Sequence, residues 1–512
     1  LVKGLPILTF YTEVSIVDAM KVILAGYNVD SVVIDELKKN SPPRMDITPE
    51  TLSASYARIS RDPRPADELR AAARAEVEKA RRSNRNIIFK MGHHSVAEHA
   101  VFNFDIVGVS RFALEEIEKF RLCSYTEKSQ RYIKLKDDFV LPDEVKKAGL
   151  AEIFIDTIKE QNALYHKLYK RLNPYFYDRY KDMAGNPRNH PVLNGWAKED
   201  ARYIVSLAAQ AQVGVTLNAR NLEFLIRRFA SKKLAELNEL NNKIYSLAKD
   251  VAPSIILFTD ANDFDAKTYR DLKKEAQKLL EPGDIKGEGQ VSLVSSTPDA
   301  DSRLVAALFH SASSVPYKTC LERAKKLAVK DKESFLKRTW QYMEFYDFAL
   351  REFEYLDLQF DIVISAACFA QLKRHRMATI TSQPYNPCLG VTIPPSVEAV
   401  GCRTEFLDMI QRTDDVYYLM RKKMEFGAEY ILTNAHRKRI LFKANLRELY
   451  HISRLREDRT AQWDIRQVVC RMVELARERM PIACSLIGGK DVFPQVYKKI
   501  YGKSPKLDPP KL

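Results

Sequence analysis

"FDIVGVSRFALEEIEKFR" (104–121) and "FDIVISAACFAQLKRHR" (360–376) align over their length with a single gap. Each opens as a β-rich apolar run and passes into helical periodicity that ends in basic residues. A second pair, "LNARNLEFLIRR" (217–228) and "KANLRELYHISRLR" (443–456), follows in the same order. Motifs repeated in one order in both halves of a chain mark two diverged copies of one domain.

The rest of the chain fits that reading. At 512 residues it is long for one domain. Helical stretches such as "PADELRAAARAEVEKARRS" (65–83), "LVAALFHSA", "FLKRTWQYMEFYDFALREFEYL" and "DIRQVVCRMVELARERM" alternate with the β-rich runs "NIIFKM", "VFNFDIVGV", "LQFDIVIS" and "QVSLVSS", so the fold class is α+β. The stretch "EPGDIKGEGQ" (281–290) has a proline, three glycines and no apolar periodicity, and is read as the linker between a first domain, 1–280, and a second, 291–512. The tail "SPKLDPPKL" reads as a loose end.

Composition bounds the function. Lys and Arg number 82 against 67 Asp and Glu, a net charge of +15. Such a surplus suits anionic partners, and equally a basic solvated surface. The seven cysteines form no CxxC pair and point to a reducing compartment. No apolar run approaches a membrane span, and "LVKGLPILTFYTEVSIVDAM" (1–20) reads as mature sequence, so a soluble cytoplasmic protein is expected.

Four features carry possible chemistry. In "GHHSVAEHA" (92–100), His94 and His99 stand five apart, about 140° around a helix, so no metal site is expected. Structural histidines or cofactor contacts both remain open there. Cys388 lacks a partner base in sequence and reads as inert. Asn445, Leu449, Ile452, Arg456 and Trp463 continue one helical stripe. A guanidinium within it needs an anion, either Asp458 or Asp464 or a ligand. Arg374, His375 and Arg376 can converge on one ligand only where a helix ends, which "TITS" (379–382) supplies, and Gln371 lies one turn before Arg374. A plain surface cluster is the alternative.

Together these segments resemble the flavin-dependent thymidylate synthases. The shared motifs are "GHHSVAEHAVFNFDIVGVSR", "SYTEKSQRY" and "LNARNL" in the first half, and "RHR" and "ANLRELYHISRLREDRTAQWDIR" in the second. The resemblance implies a domain with a mixed sheet and helices, FAD as cofactor, dUMP as substrate, methylenetetrahydrofolate and NADPH as co-substrates, and no cysteine nucleophile. Nucleic acid and membranes are not among its partners. The family assembles as homotetramers, so two chains of this protein would form a pseudo-tetramer of four domains.

Neither copy keeps the whole pattern. The second keeps Gln371, Arg374, His375, Arg376 and Arg456; in the first these are Glu116, Lys119, Phe120, Arg121 and Phe229, with Arg228 matching Arg456 only after a one-residue shift. The first keeps Glu127, Ser129, Arg131, Tyr132 and Arg202; in the second these are Ser382, Pro384, Asn386, Pro387 and Glu429. In the resembling family the first set comes from one subunit and the second from its partner. One composite site is therefore expected to be complete where the copies meet, and its reciprocal dead.

The resemblance assigns Ser129, Arg131, Gln371, Arg374, Arg202, Glu127 and Arg456 to dUMP, with Ser129 and Arg456 nearest the chemistry. It assigns Arg374, His375, Arg376, Glu127, Ser95, His99, Asn218, Arg220, Asn445 and Arg447 to FAD; Tyr355 stands in the place of His99 in the second copy. A paralogue using another pyrimidine or one-carbon donor, or a non-catalytic nucleotide-binding scaffold, are the alternatives.

Overall fold

A computed structural model describes residues 20–39, 47–280 and 289–506. Most of the expected linker, residues 1–19 of the N-terminal stretch and 507–512 of the tail lie outside the described residues. Two four-stranded sheets organise the chain. The first has the order β1-β2-β4-β3, with β1 Lys21–Tyr27, β2 Val101–Ser110, β3 Ser124–Glu127 and β4 Gln210–Asn218. The second repeats it as β5-β6-β8-β7, with β5 Val291–Ser296, β6 Asp357–Ser365, β7 Thr379–Ser382 and β8 Arg437–Asn445. This is a tandem duplication of one α+β domain. Every pairing between these strands is antiparallel, where a mixed sheet was expected. The reason lies in the connection: the excursion after β3 returns the chain to the end of the sheet at which β2 stopped, with Gln210 opposite Ser110.

The one-residue gap between the copies has a structural cause. The register of β2 on β4 shifts between Val107 and Val109, and Gly108 between them takes φ +82°. Only glycine adopts that conformation without strain. β6 pairs with β8 without a shift. The first copy thus carries a bulge where the second has a regular strand.

Matched helices follow matched strands. In chain order they are α1 Arg111–Ile117, α2 Ala151–Arg179, α3 Ala219–Ala230, α4 Ala235–Val251, α5 Ala366–Leu372, α6 Arg403–Lys423, α7 Leu446–Arg456 and α8 Trp463–Arg479. Ser110 and Ser365 end β2 and β6 and cap α1 and α5, accepting from the backbone N–H groups of Ala113 and Cys368. Each hydroxyl also donates to a buried carboxylate at the start of the next core helix: Ser110 to Glu236 at 2.7 Å, Ser365 to Asp464 at 2.6 Å. Burial pushes the Glu236 carboxyl up, and the hydroxyls of Tyr430 and Ser110 work against it. Ser110→Ala and Ser365→Ala should each cost about 2–4 kcal/mol, the sum of a lost cap and a carboxylate left short of a donor. Urea unfolding of each variant measures this; a loss near zero would show that the latch is dispensable.

By compactness the chain divides into one unit of 1–283 with 394–433, and a second of 284–393 with 434–512. The second copy therefore contributes α6 to the first unit. There Gln161 of α2 donates to the Thr413 hydroxyl at 2.9 Å and to the Ile431 carbonyl at 3.0 Å. Ser206 bridges Thr433, its own counterpart in the repeat, antiparallel. Each sheet has its own core, centred on Phe102, Phe104 and Phe229 in one unit and on Trp340, Phe353 and Phe360 in the other.

Three sequence expectations give way. "NIIFKM" is helical over Arg85–Lys90 rather than extended, since a short apolar run does not distinguish the two. The helix expected over 335–356 stops at Trp340, and the residues beyond it form turns and a 3-10 helix over Arg351–Tyr355, with Tyr342, Phe348 and Tyr355 exposed. The stripe through Arg456 is not one helix: α7 ends at Arg456 and Trp463 opens α8.

Candidate functional site

In the first unit, β3 and the turn after it bring Glu127, Ser129 and Arg131 beside the 3-10 turn Arg202–Ile204 that follows the helix ending at Ala201. Glu127 pairs with Arg111 at 2.7 Å, both side chains nearly inaccessible. The Ser129 hydroxyl accepts the backbone N–H of Arg131 at 3.2 Å, fixing the turn. Arg131 pairs with Glu199. Arg202 is buried at 5% exposure. Burial pushes its guanidinium pKa down; Tyr203 and Glu199 favour the charge, and Arg131 and Arg111 oppose it. Arg111, Arg131 and Arg202 thus share this turn with the carboxylates Glu127 and Glu199.

In the second unit, α5 ends at Leu372 and the triplet follows where the chain turns toward β7, as the sequence requires. His375 is buried, and burial pushes its pKa down; Glu448 opposes this and Arg456 reinforces it. Its Nε2 accepts from Arg456 Nε at 3.1 Å, so a neutral ring carries its proton on Nδ1, 3.6 Å from Glu448. Arg456 also donates to the Gln371 carbonyl at 3.2 Å. Gln371 donates its amide to Gln462, and its buried Oε1 has no partner among the described residues. Arg374 folds back, donating Nε to the Ala370 carbonyl at 3.2 Å. Arg374 and Arg376 are exposed and flank the buried imidazole.

The remaining cofactor candidates have partners of their own. Asn218 and Asn445 cap α3 and α7 through their side-chain oxygens, the same structural role in both copies. Arg220 pairs with Glu98 at 2.5 Å and Arg447 with Glu354 at 3.0 Å, again at matched positions. His99 packs edge-on against Tyr56 with ring centroids 4.6 Å apart, and Ser95 is exposed. Among the described residues no group of three or more His, Cys, Asp or Glu could hold a metal ion. Cys388 is exposed on a short 3-10 turn. No helix among the described residues is long and apolar enough to cross a membrane.

Arg111, Glu199, Glu448 and Gln462 were missed from sequence. Arg111, Glu448 and Gln462 lie inside quoted motifs, "VGVSR", "ANLREL" and "AQWDIR", but their partners lie outside those motifs.

The family described as Thymidylate synthase complementing protein matches residues 45–254 and 292–482, most of the chain. The chain belongs to this family. A UPF0159 protein of Thermoplasma acidophilum is 24% identical over 437 residues, covering 79% of this chain and 87% of that protein. The flavin-dependent thymidylate synthase of Clostridium tetani is 29% identical over 215 residues, 41% of this chain and 82% of the relative. Among solved structures, Helicobacter pylori thymidylate synthase X with FAD and dUMP aligns at 16% identity and TM-score 0.30, covering 46% of this chain and 99% of that one.

Within this thymidylate synthase complementing family member, the degenerate positions are structurally occupied. Glu116, in the place of Gln371, pairs with Lys119, in the place of Arg374, and with Lys232 at 2.7 Å. Burial opposes its ionisation, but the two lysines prevail and hold its carboxyl at about 2. Phe229, in the place of Arg456, is core. Arg228 lies 3.1 Å from Asp265 and Arg227 3.0 Å from it. In the second copy's turn, Tyr385 is buried with the Lys438 ammonium 4.0 Å from its ring.

Proposed function

We propose that the protein is a flavin-dependent thymidylate synthase that methylates dUMP to dTMP at one composite site per pair of copies. The carrying observation is the division of intact clusters. Gln371, His375 and Arg456 form one network in the second unit, while Ser129, Arg131 and Arg202 group in the first. The matched positions are filled by Glu116 and Lys119, by Phe229, or by Pro384 and Asn386. The second copy's contribution of α6 to the first unit supports pairing of the copies within a chain, and two chains would complete a pseudo-tetramer.

Arg131 and Arg202 hold the phosphate from the first copy through charge-assisted hydrogen bonds. The Ser129 hydroxyl reaches the nucleotide beside them. Arg374 grips the nucleotide from the second copy, and Gln371 offers a buried acceptor. Arg456 is oriented by the Nε2 of His375 and the backbone carbonyl of Gln371, and its guanidinium stabilises negative charge developing on the uracil ring. Exposed Arg374 and Arg376 on either side of the neutral His375 fit an anionic, ring-bearing cofactor, and Glu127, Ser95, His99, Asn218, Arg220, Asn445 and Arg447 complete the FAD candidates. FAD, reduced by NADPH, would supply the hydride while methylenetetrahydrofolate supplies the carbon. Because Asn218 and Asn445 cap helices, their part is to place backbone rather than to spare a side-chain oxygen.

One FAD per chain should bind, since only one triplet is intact. Absorbance titration of the purified protein measures it, and two equivalent FAD per chain would sink the composite site. Thymidine-independent growth of a synthase-deficient host tests the reaction itself.

A further inference from the structure

The second unit contains a cavity of about 510 Å³ whose lining includes Gln290, Val363, Cys388, Leu389 and Arg437. Arg437 opens β8 opposite Ser365. Its Nε donates to the Thr392 hydroxyl at 2.9 Å. Among the described residues no acceptor lies within hydrogen-bond distance of its two terminal nitrogens, and no carboxylate is close enough to pair with it. Asp464, whose field favours its charge, is itself bonded to Ser365. Burial pushes the Arg437 guanidinium pKa down. A partly buried cation without a counter-ion is costly, and an anion in the cavity removes that cost.

The cavity walls are held in place. The turn carrying Cys388 and Leu389 is fixed by Asn386, whose N–H donates to the Arg437 carbonyl at 3.0 Å and whose Oδ1 caps the N–H of Cys388 at 3.0 Å. Beside it the Lys438 ammonium lies between the rings of Phe369 and Tyr385, at 3.9 and 4.0 Å. Gly390 ends the turn at φ +71°, where a side chain would be strained. The cavity has the size of a small-ligand site, with apolar walls and one placed charge. The first copy has Gln210 at the matched ladder position, so the feature belongs to the second copy alone.

We propose that this cavity binds a small organic oxyanion, a carboxylate or phosphate monoester, with the oxyanion on Arg437 and the apolar body against Val363 and Leu389. The copy that lost its substrate loop residues has thereby gained a separate anion site. Cys388, exposed at the rim, reports on it. Alkylation of Cys388 by iodoacetamide is followed by peptide mass spectrometry on the full chain, with benzoate or phenyl phosphate as probe and Cys470 as internal control. Saturable slowing at Cys388 but not at Cys470 is expected. Protection by benzoate alone assigns a carboxylate ligand, and by phenyl phosphate alone a phosphate ester. Arg437→Gln, the residue of the first copy, should weaken protection about tenfold or more, the loss of a charge-assisted hydrogen bond. Arg437→Lys should retain part of it, which keeps the test decisive if the glutamine variant folds poorly. Arg374→Ala, which strikes the proposed synthase site, should leave protection intact. No protection by either probe at millimolar concentration, or equal protection in Arg437→Gln, overturns the site.

Discussion

Arg374→Ala should lower single-turnover oxidation of reduced flavin, with dUMP and the folate donor, by about 100-fold or more, because hydrogen bonds to charged groups contribute about 1.5–3 kcal/mol each and a guanidinium makes two. Lys119→Ala, at the matched position, should change the rate less than about twofold, within the small effect of an exposed ion pair. The structure gives the reason for the difference. Arg374 stands exposed where α5 ends, with its Nε on the Ala370 carbonyl. Lys119 is held by Glu116, whose carboxyl stays ionised down to about 2 and also binds Lys232. Its ammonium is therefore already paired with a carboxylate. A scaffold would show no rate to lose, and two equal sites would show similar losses in both variants. Equal harm from Lys119→Ala would refute the division of labour while leaving family membership standing.

The second large effect is expected at Arg202. Arg202→Ala should weaken dUMP binding by about 10–100-fold, one buried charge-assisted contact, while Glu429→Ala should leave it unchanged. Burial disfavours the Arg202 charge, and Arg131 and Arg111 add to that cost. Phosphate binding relieves the repulsion, so dUMP should raise the melting temperature of the parent protein more than that of Arg202→Ala. Glu429, in the corresponding 3-10 turn of the second copy, presents negative charge and has nothing to offer a phosphate. Calorimetric titration with dUMP gives both affinities. An Arg202→Ala variant that binds dUMP as the parent does would remove this residue from the site.

The duplication, the fold class and the ends of the two copies' core strands were legible in the sequence, because side-chain periodicity is a local property that burial on one face enforces. The expected sorting of Gln371, Arg374 and Arg456 from Ser129, Arg131 and Arg202 came from the family resemblance, whose motif could be laid over both copies because the repeat aligns. Local sequence also placed the triplet at a helix end. It did not reveal that His375 accepts from Arg456, that Gln462 binds Gln371, or that Glu199 pairs with Arg131, since these partners lie 68 to 91 residues apart. Nor did it show that the motif asparagines cap helices in both copies, or that the alignment gap is a bulge at Gly108. Above all, 394–433 reads as part of the second copy but folds into the first unit. A segment's chain neighbours set its secondary structure, whereas its burial partner is whichever surface covers its apolar face. For α6 that surface is α2, the matching helix of the other copy, and only the tertiary fold decides it.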